Sequence, residues 1–317
     1  MTHKLSFAVL SIVAITAGAM LAQQPAPPSG QKLPLAERIA HTTPEKYRAS
    51  PAVHGGPGQL DYMGLFNANA MDTNLYFLHR GVIQPKSGIG AHFHNQCEEM
   101  FVILDGEAQF TINGHTSVLK GPAGAPVRMG HSHAIYNHTD KPVQWMNINV
   151  SARKGVYDAF DLGDGRVGAT LEPIPTFMTM RLDQALLRPA AAAMAAKGTV
   201  QYRRALPPSV FVGPWAYVDH LVVAPGSATA PQTHAEIGEF YYVMNGQGTS
   251  TVGAESAPIR AGDAVPIQLN ETKSFENTGS APLELLVVGV VRDVNRKFDV
   301  VVPPARGVPP ARGGRGQ

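Results

Sequence analysis

The sequence predicts an all-β protein built from two tandem barrels, and three observations carry that prediction. Glycine and proline number 32 and 26 in 317 residues, both above their usual shares of roughly 7% and 5%, as many short strands joined by tight turns require. Asp105-Gly106, Asn113-Gly114 and Asn245-Gly246 stand between β-branched and aromatic runs, where two-residue hairpin turns need positive φ. Finally, Pro85/Pro225, His94/His234, Glu99/Glu239, Gly106/Gly246, Asn137/Asn277 and Pro142/Pro282 all recur at one offset of 140 residues. A single ungapped offset marks an internal duplication.

Residues 1–22 carry Lys4 and then an apolar run from Leu5 to Leu21, the pattern of a secretory signal peptide cleaved after Ala22. Ala17-Gly18-Ala19 is a second small-residue site, and an uncleaved membrane anchor is the alternative reading. The signal peptide places the protein in the periplasm or outside the cell. Residues 23–72 read as a Pro/Gly linker followed by an arm with short helical turns. Residues 73–150 form the first barrel, with strands at Leu75 to Phe77, Glu99 to Leu104, Ala108 to Ile112 and Gln144 to Val150. Residues 151–212 form an interdomain linker in which the Ala- and Leu-rich stretch from Asp183 to Lys197, stopped at Gly198, reads as a helix kinked or divided at Pro189. The second barrel spans 213–300. The tail, 301–317, repeats Val-Pro-Pro-Ala-Arg-Gly and reads as disordered.

The formal charge of +2 is an excess carried by Arg306, Arg312 and Arg315 of the tail. The near-neutral body has no electrostatic footprint for nucleic acid, which leaves a small molecule as the expected partner and no membrane contact beyond the signal peptide. Cys97 is the only cysteine, so no intramolecular disulfide forms. Its expected state is a packed thiol, although it stands two residues before Glu99.

His92 and His94, at i and i+2, project to one face of an extended strand, the barrel interior. Glu99 returns to that cavity across a short loop and His133 arrives from a later strand. Three imidazoles and one carboxylate suit a divalent Mn, Fe, Co, Ni, Cu or Zn ion and leave coordination positions open, as catalytic sites do. The residual formal charge of such a centre favours an anionic or enolate-like ligand. Around it, Tyr76, Phe101 and Ile103 are expected to line the cavity by strand parity. Arg128 is balanced between a substrate carboxylate and the surface, His131 reads as an exposed turn residue, and His79, Arg80 and Trp145 are unassigned.

These residues resemble the cupin superfamily. Its first motif stands here as His92-Phe93-His94, four residues, Glu99, six residues, Gly106; the second as Gly130, two residues, His133, three residues, Asn137. Arg128 replaces the proline that usually precedes the glycine of the second motif. The resemblance covers about 73–150 and 213–292, with the arms and tail outside, and implies two jelly-roll barrels of a bicupin, similar to quercetin dioxygenase-like cupins. It implies a metal-dependent enzyme acting on a small oxygenated substrate, with a quercetinase-like dioxygenase ahead of a lyase, decarboxylase or isomerase and Glu99 as both ligand and base. The competing class is a non-catalytic exported binding protein. In the second barrel the equivalent positions hold Gln232, His234, Glu239 and Lys273. A protonated lysine has no lone pair for a metal, so the expectation is a Lys273–Glu239 ion pair in its place; a carbonyl-binding Lys273 is the alternative.

Overall fold

The computed structural model describes residues 33–301; the signal peptide expected at 1–22, most of the linker and the tail lie outside the described residues. Among the described residues no helix is long and apolar enough to cross a membrane. Strands dominate, and every ladder joining them is antiparallel.

The first barrel pairs a seven-stranded sheet with a five-stranded one. The large sheet runs Met180–Arg181, Ala123–Val127, Cys97–Ile103, Val143–Ser151, Leu75–Ile83, Gln59–Phe66, Arg48–Pro51; the small one runs Phe160–Asp161, Gly88–Phe93, Ser132–Tyr136, Glu107–Ile112, His115–Lys120. The second barrel repeats this plan: Ala40–His41, Asp263–Ile267, Ile237–Asn245, Leu283–Val291, Trp215–Val223, Val200–Leu206 and Arg188–Pro189 make its large sheet.

The central strands are buried on both faces, so they read as nearly continuous apolar runs rather than alternating ones. In Cys97–Ile103, Phe101 and Ile103 point into the first barrel among Ile83, Phe110 and Trp145. Met100 and Val102, on the opposite face, join Phe240, Tyr242 and Val288 of the second barrel in one core between the two large sheets. Arg80 crosses the same seam and donates from Nε to the Tyr242 hydroxyl at 2.9 Å.

Several repeat identities have local causes. Gly106 and Gly246 adopt φ of 58° and 83°, a region L side chains enter only with strain. Asn137 donates to the carbonyls of Ile83, Gln84 and Lys141; Asn277 does the same to Val223 and Ala281. Each pins the loop that follows its strand.

Two sequence expectations need correction. The arms do not lie outside the barrels. Ala40–His41 pairs with Asp263–Ile267 of the second barrel, and Met180–Arg181 pairs with Ala123–Val127 of the first. Leu35, 1% exposed, is inserted in the second barrel's core. These two-residue strands carry too little pattern to be read from sequence. The linker is helical only as single 3₁₀ turns at Gln184–Leu186, Ala192–Met194 and Pro208–Val210. Pro189, within the Ala-rich stretch, lies in a short strand against Val200–Leu206, where its ring tolerates the extended backbone that a helix interior would not.

Candidate metal centre

His92 is the penultimate residue of the strand Gly88–Phe93 and His94 follows it. His133 is the direct Cα partner of His92 across the ladder, and Glu99 enters from the facing sheet on Cys97–Ile103. The four side chains are no more than 2% exposed, and their ligand atoms lie within 4.8 Å of one another. His92 Nε2 and His133 Nε2 face each other at 3.1 Å, and His94 Nε2 stands 3.2 Å from Glu99 Oε2.

The hydrogen bonds around these rings select their tautomers. His92 Nδ1 donates to the Gly90 carbonyl at 2.9 Å, and His94 Nδ1 donates to the Asp158 carbonyl. Both Nε2 atoms therefore turn inward. Glu99 is held from the other side: Oε1 accepts from Asn147 Nδ2 at 2.6 Å and Oε2 from Asn149 Nδ2 at 2.7 Å. Burial opposes a charged Glu99, yet His94, with His133 and His92, holds its carboxyl well below the usual range. Burial pushes His92 down to about 4 and lowers His133 as well, so both offer lone pairs. His94 moves the other way, up to about 11: despite burial, Cys97 and Glu99 favour its charged form. Inward lone pairs, an ionised carboxylate and a demand for one positive charge fit a divalent cation.

Other residues complete the surroundings. His54, absent from the sequence reading, stacks on His92 with ring centroids 3.8 Å apart and planes 10° apart, and its Nδ1 meets Asp161 at 2.5 Å. It sits at φ 50° in a turn pressed so closely on the strand that a Cβ at Gly90 would fall 2.1 Å from the His54 carbonyl. Phe101 stacks on His133 at 4.4 Å. Phe77 and His79, partners of Asn149 and Asn147 across the sheet, stack on each other at 4.0 Å. Tyr157 lies 5.4 Å from His94, ring centroid to ring centroid, and is stacked on Tyr76 at 5.0 Å. Cys97 is a buried thiol that accepts from Asn149 at 3.2 Å.

Arg128 and His131 do not join the site. Arg128 donates to the Val210 and Ser209 carbonyls, and His131 meets Asn113 in an exposed turn. Trp145 is core. In the second barrel, Lys273 Nζ lies 2.7 Å from Glu239 Oε2, His234 Nε2 is 3.9 Å from Oε1, and Gln232 is the Cα partner of Lys273.

The Asn147 and Asn149 amides leave Glu99 one orientation. We expect Asn149→Ala to weaken metal affinity about 10–100-fold, measured by competition with a chromophoric chelator; unchanged affinity would show that Glu99 orients without it.

A family model described as a cupin domain matches residues 79–149 and again 219–289. An uncharacterised protein of Methanocaldococcus jannaschii is 30% identical over 84 residues, 26% of this chain and 67% of that protein. An oxalate-binding protein of Thermotoga maritima is 38% identical over 64 residues, 20% of this chain and 53% of that protein. Among solved structures, oxalate decarboxylase of Lactobacillus farciminis superposes with TM-score 0.57 at 14% identity, covering 80% of this chain and 86% of that one. Salicylate 1,2-dioxygenase of Pseudoaminobacter salicylatoxidans superposes with TM-score 0.59 at 15% identity, covering 75% and 74%. With a domain match in each half of the duplication, the chain belongs to the cupin family, as a bicupin with a centre able to hold one metal ion.

Proposed function

We propose that this bicupin is an exported, metal-dependent oxidoreductase acting on a small oxygenated or enolisable substrate, a dioxygenase of the quercetinase-like kind. The observation that carries the reading is the donor set itself, three imidazoles and a carboxylate whose ligand atoms converge, with the stacked Phe77 and His79 rings and Tyr157 around it. A bound metal would polarise a substrate oxygen or present dioxygen beside it. The aromatic rings suit a planar substrate, and the formal charge of such a centre favours an enolate.

The protein's own groups divide the remaining work. Glu99, with both oxygens engaged by amides and its carboxyl held ionised, serves as a ligand rather than a proton carrier. Burial raises the Tyr157 phenol, with Glu99 adding to the effect, so Tyr157 keeps its proton and acts as a hydrogen-bond donor beside His94. His79 is pushed by burial down to about 4, against the pull of Glu99, and stands neutral beside the centre. His54, oriented by Asp161, fixes the plane of His92. The apolar run at 5–21 supports delivery to the periplasm or beyond.

A second reading, a non-catalytic holder of a small anion, is supported by the oxalate-binding relative and by the depth of the four ligands. Metal analysis followed by oxygen-uptake assays on phenolic and enediol substrates separates the two. The dioxygenase reading expects about one metal per chain and oxygen consumption that a chelator stops. Carbon dioxide release from oxalate without net oxygen uptake would replace it with a decarboxylase, and binding of oxalate without turnover under any metal would favour the holder.

A further inference from the structure

The second barrel has kept a cavity of about 330 Å³ where its counterpart of the metal centre would lie. A vestigial site closed by an ion pair has no need of such a space, and this volume falls at the small end of ordinary ligand pockets, roughly 300–1,000 Å³. It suits a molecule of one or two rings.

The charges in its wall cancel. Lys273 pairs with Glu239 at 2.7 Å and Arg204 with Asp219 at 3.0 Å, while burial lowers His234 toward its neutral form. A charged ligand would bring an uncompensated charge into a buried space, which is costly. The three phenols are already engaged: Tyr217 donates to Glu239 at 2.7 Å, Tyr241 to Glu239 at 3.3 Å and Tyr202 to Asp219 at 2.8 Å. What they present inward is ring surface, reinforced by Arg204 over the Tyr217 ring at 4.2 Å and by Phe275 against Tyr241.

Three polar groups at one end keep hydrogen-bonding capacity to spare, although Lys273 and His234 both lie against Glu239, at 2.7 and 3.9 Å. Lys273, 3% exposed, makes no hydrogen bond beyond its ion pair. Gln232, beside it across the ladder, and His234 make no side-chain hydrogen bond among the described residues. All three line the cavity, and an ammonium has donors only, so an acceptor oxygen is the group that satisfies it.

From these observations we infer that the second barrel is a metal-independent binding site for a neutral, oxygen-bearing ring compound, its carbonyl or hydroxyl oxygen on Lys273, Gln232 and His234 and its ring among the tyrosines. The proposal does not depend on what the first barrel does.

The test uses the full-length, metal-loaded protein and two probes that share a ring: 4-hydroxyacetophenone, neutral at mildly acidic pH, and 4-hydroxybenzoate, an anion there. Calorimetry should show saturable binding of the neutral probe, tighter than the anion, and unchanged after chelation of the metal or in His92→Ala. Ala230→Phe, which fills the rim of the cavity, and Gln232→Leu, which removes a donor while leaving the buried ion pair intact, should each weaken it by about tenfold. The inference is overturned by the absence of saturable binding, by tighter binding of the anion in the His92→Ala protein, by binding that disappears with the metal, or by binding that neither variant alters.

Discussion

Alanine at His92 or at His133 is expected to bring bound metal from about one ion per chain to under a tenth and to abolish any metal-dependent turnover. Each ring supplies a buried Nε2 within a cluster whose ligand atoms lie within 4.8 Å of one another. The neighbouring donors are committed elsewhere: Asn147 and Asn149 hold Glu99, His79 is stacked on Phe77, and His54 is held through Nδ1 by Asp161. Elemental analysis of the purified variants reads the occupancy. Thermal unfolding gives an independent readout, because a metal at a hundredfold excess over its Kd stabilises the native state by ~2.7 kcal/mol, an increment that either variant should lose. Retained stoichiometry in both would remove these histidines from the centre.

The other large effect belongs to the second barrel. Lys273→Met is expected to destabilise the protein by about 3–5 kcal/mol, because it leaves the Glu239 carboxylate buried without its cation. Glu239 is 3% exposed; burial raises its carboxyl, and Lys273 with His234 brings it below the usual range. The double variant Lys273→Met/Glu239→Gln should recover most of that loss, since neutral groups do not carry the desolvation cost. Denaturant titration of the four proteins in a double-mutant cycle measures the coupling. A single variant as stable as the parent would show that the pair is not coupled in the folded state.

The parts of this molecule legible in its sequence are those governed by a short period. His92 and His94 share a face because strand side chains alternate, and the 140-residue offset exposed both the duplication and the divergence of its second copy. Asn147 and Asn149 carry the same signal, two polar residues at i and i+2 among the apolar Trp145, Met146, Ile148 and Val150, and could have been read as facing Glu99. His54 and Tyr157 could not. One sits in a turn with positive φ and the other in an irregular segment, and what places them is the close approach of chain far away in sequence. The arms were missed for a related reason: strands of two residues borrow their order from the sheet edge they join and need no propensity of their own.

Those crossing arms say something about descent. Ala40–His41 and Met180–Arg181, though unlike in residue type, stand at the same offset as the repeat identities, and each completes the opposite barrel. This is the pattern of two identical subunits that traded their leading segments and were later joined head to tail. While such subunits are separate and symmetric, every substitution is made in both and a change of metal ligand silences both sites. Once they are fused, one copy can keep its chemistry while the other replaces histidine with glutamine and lysine, and the traded segments oblige the altered copy to stay folded against its twin.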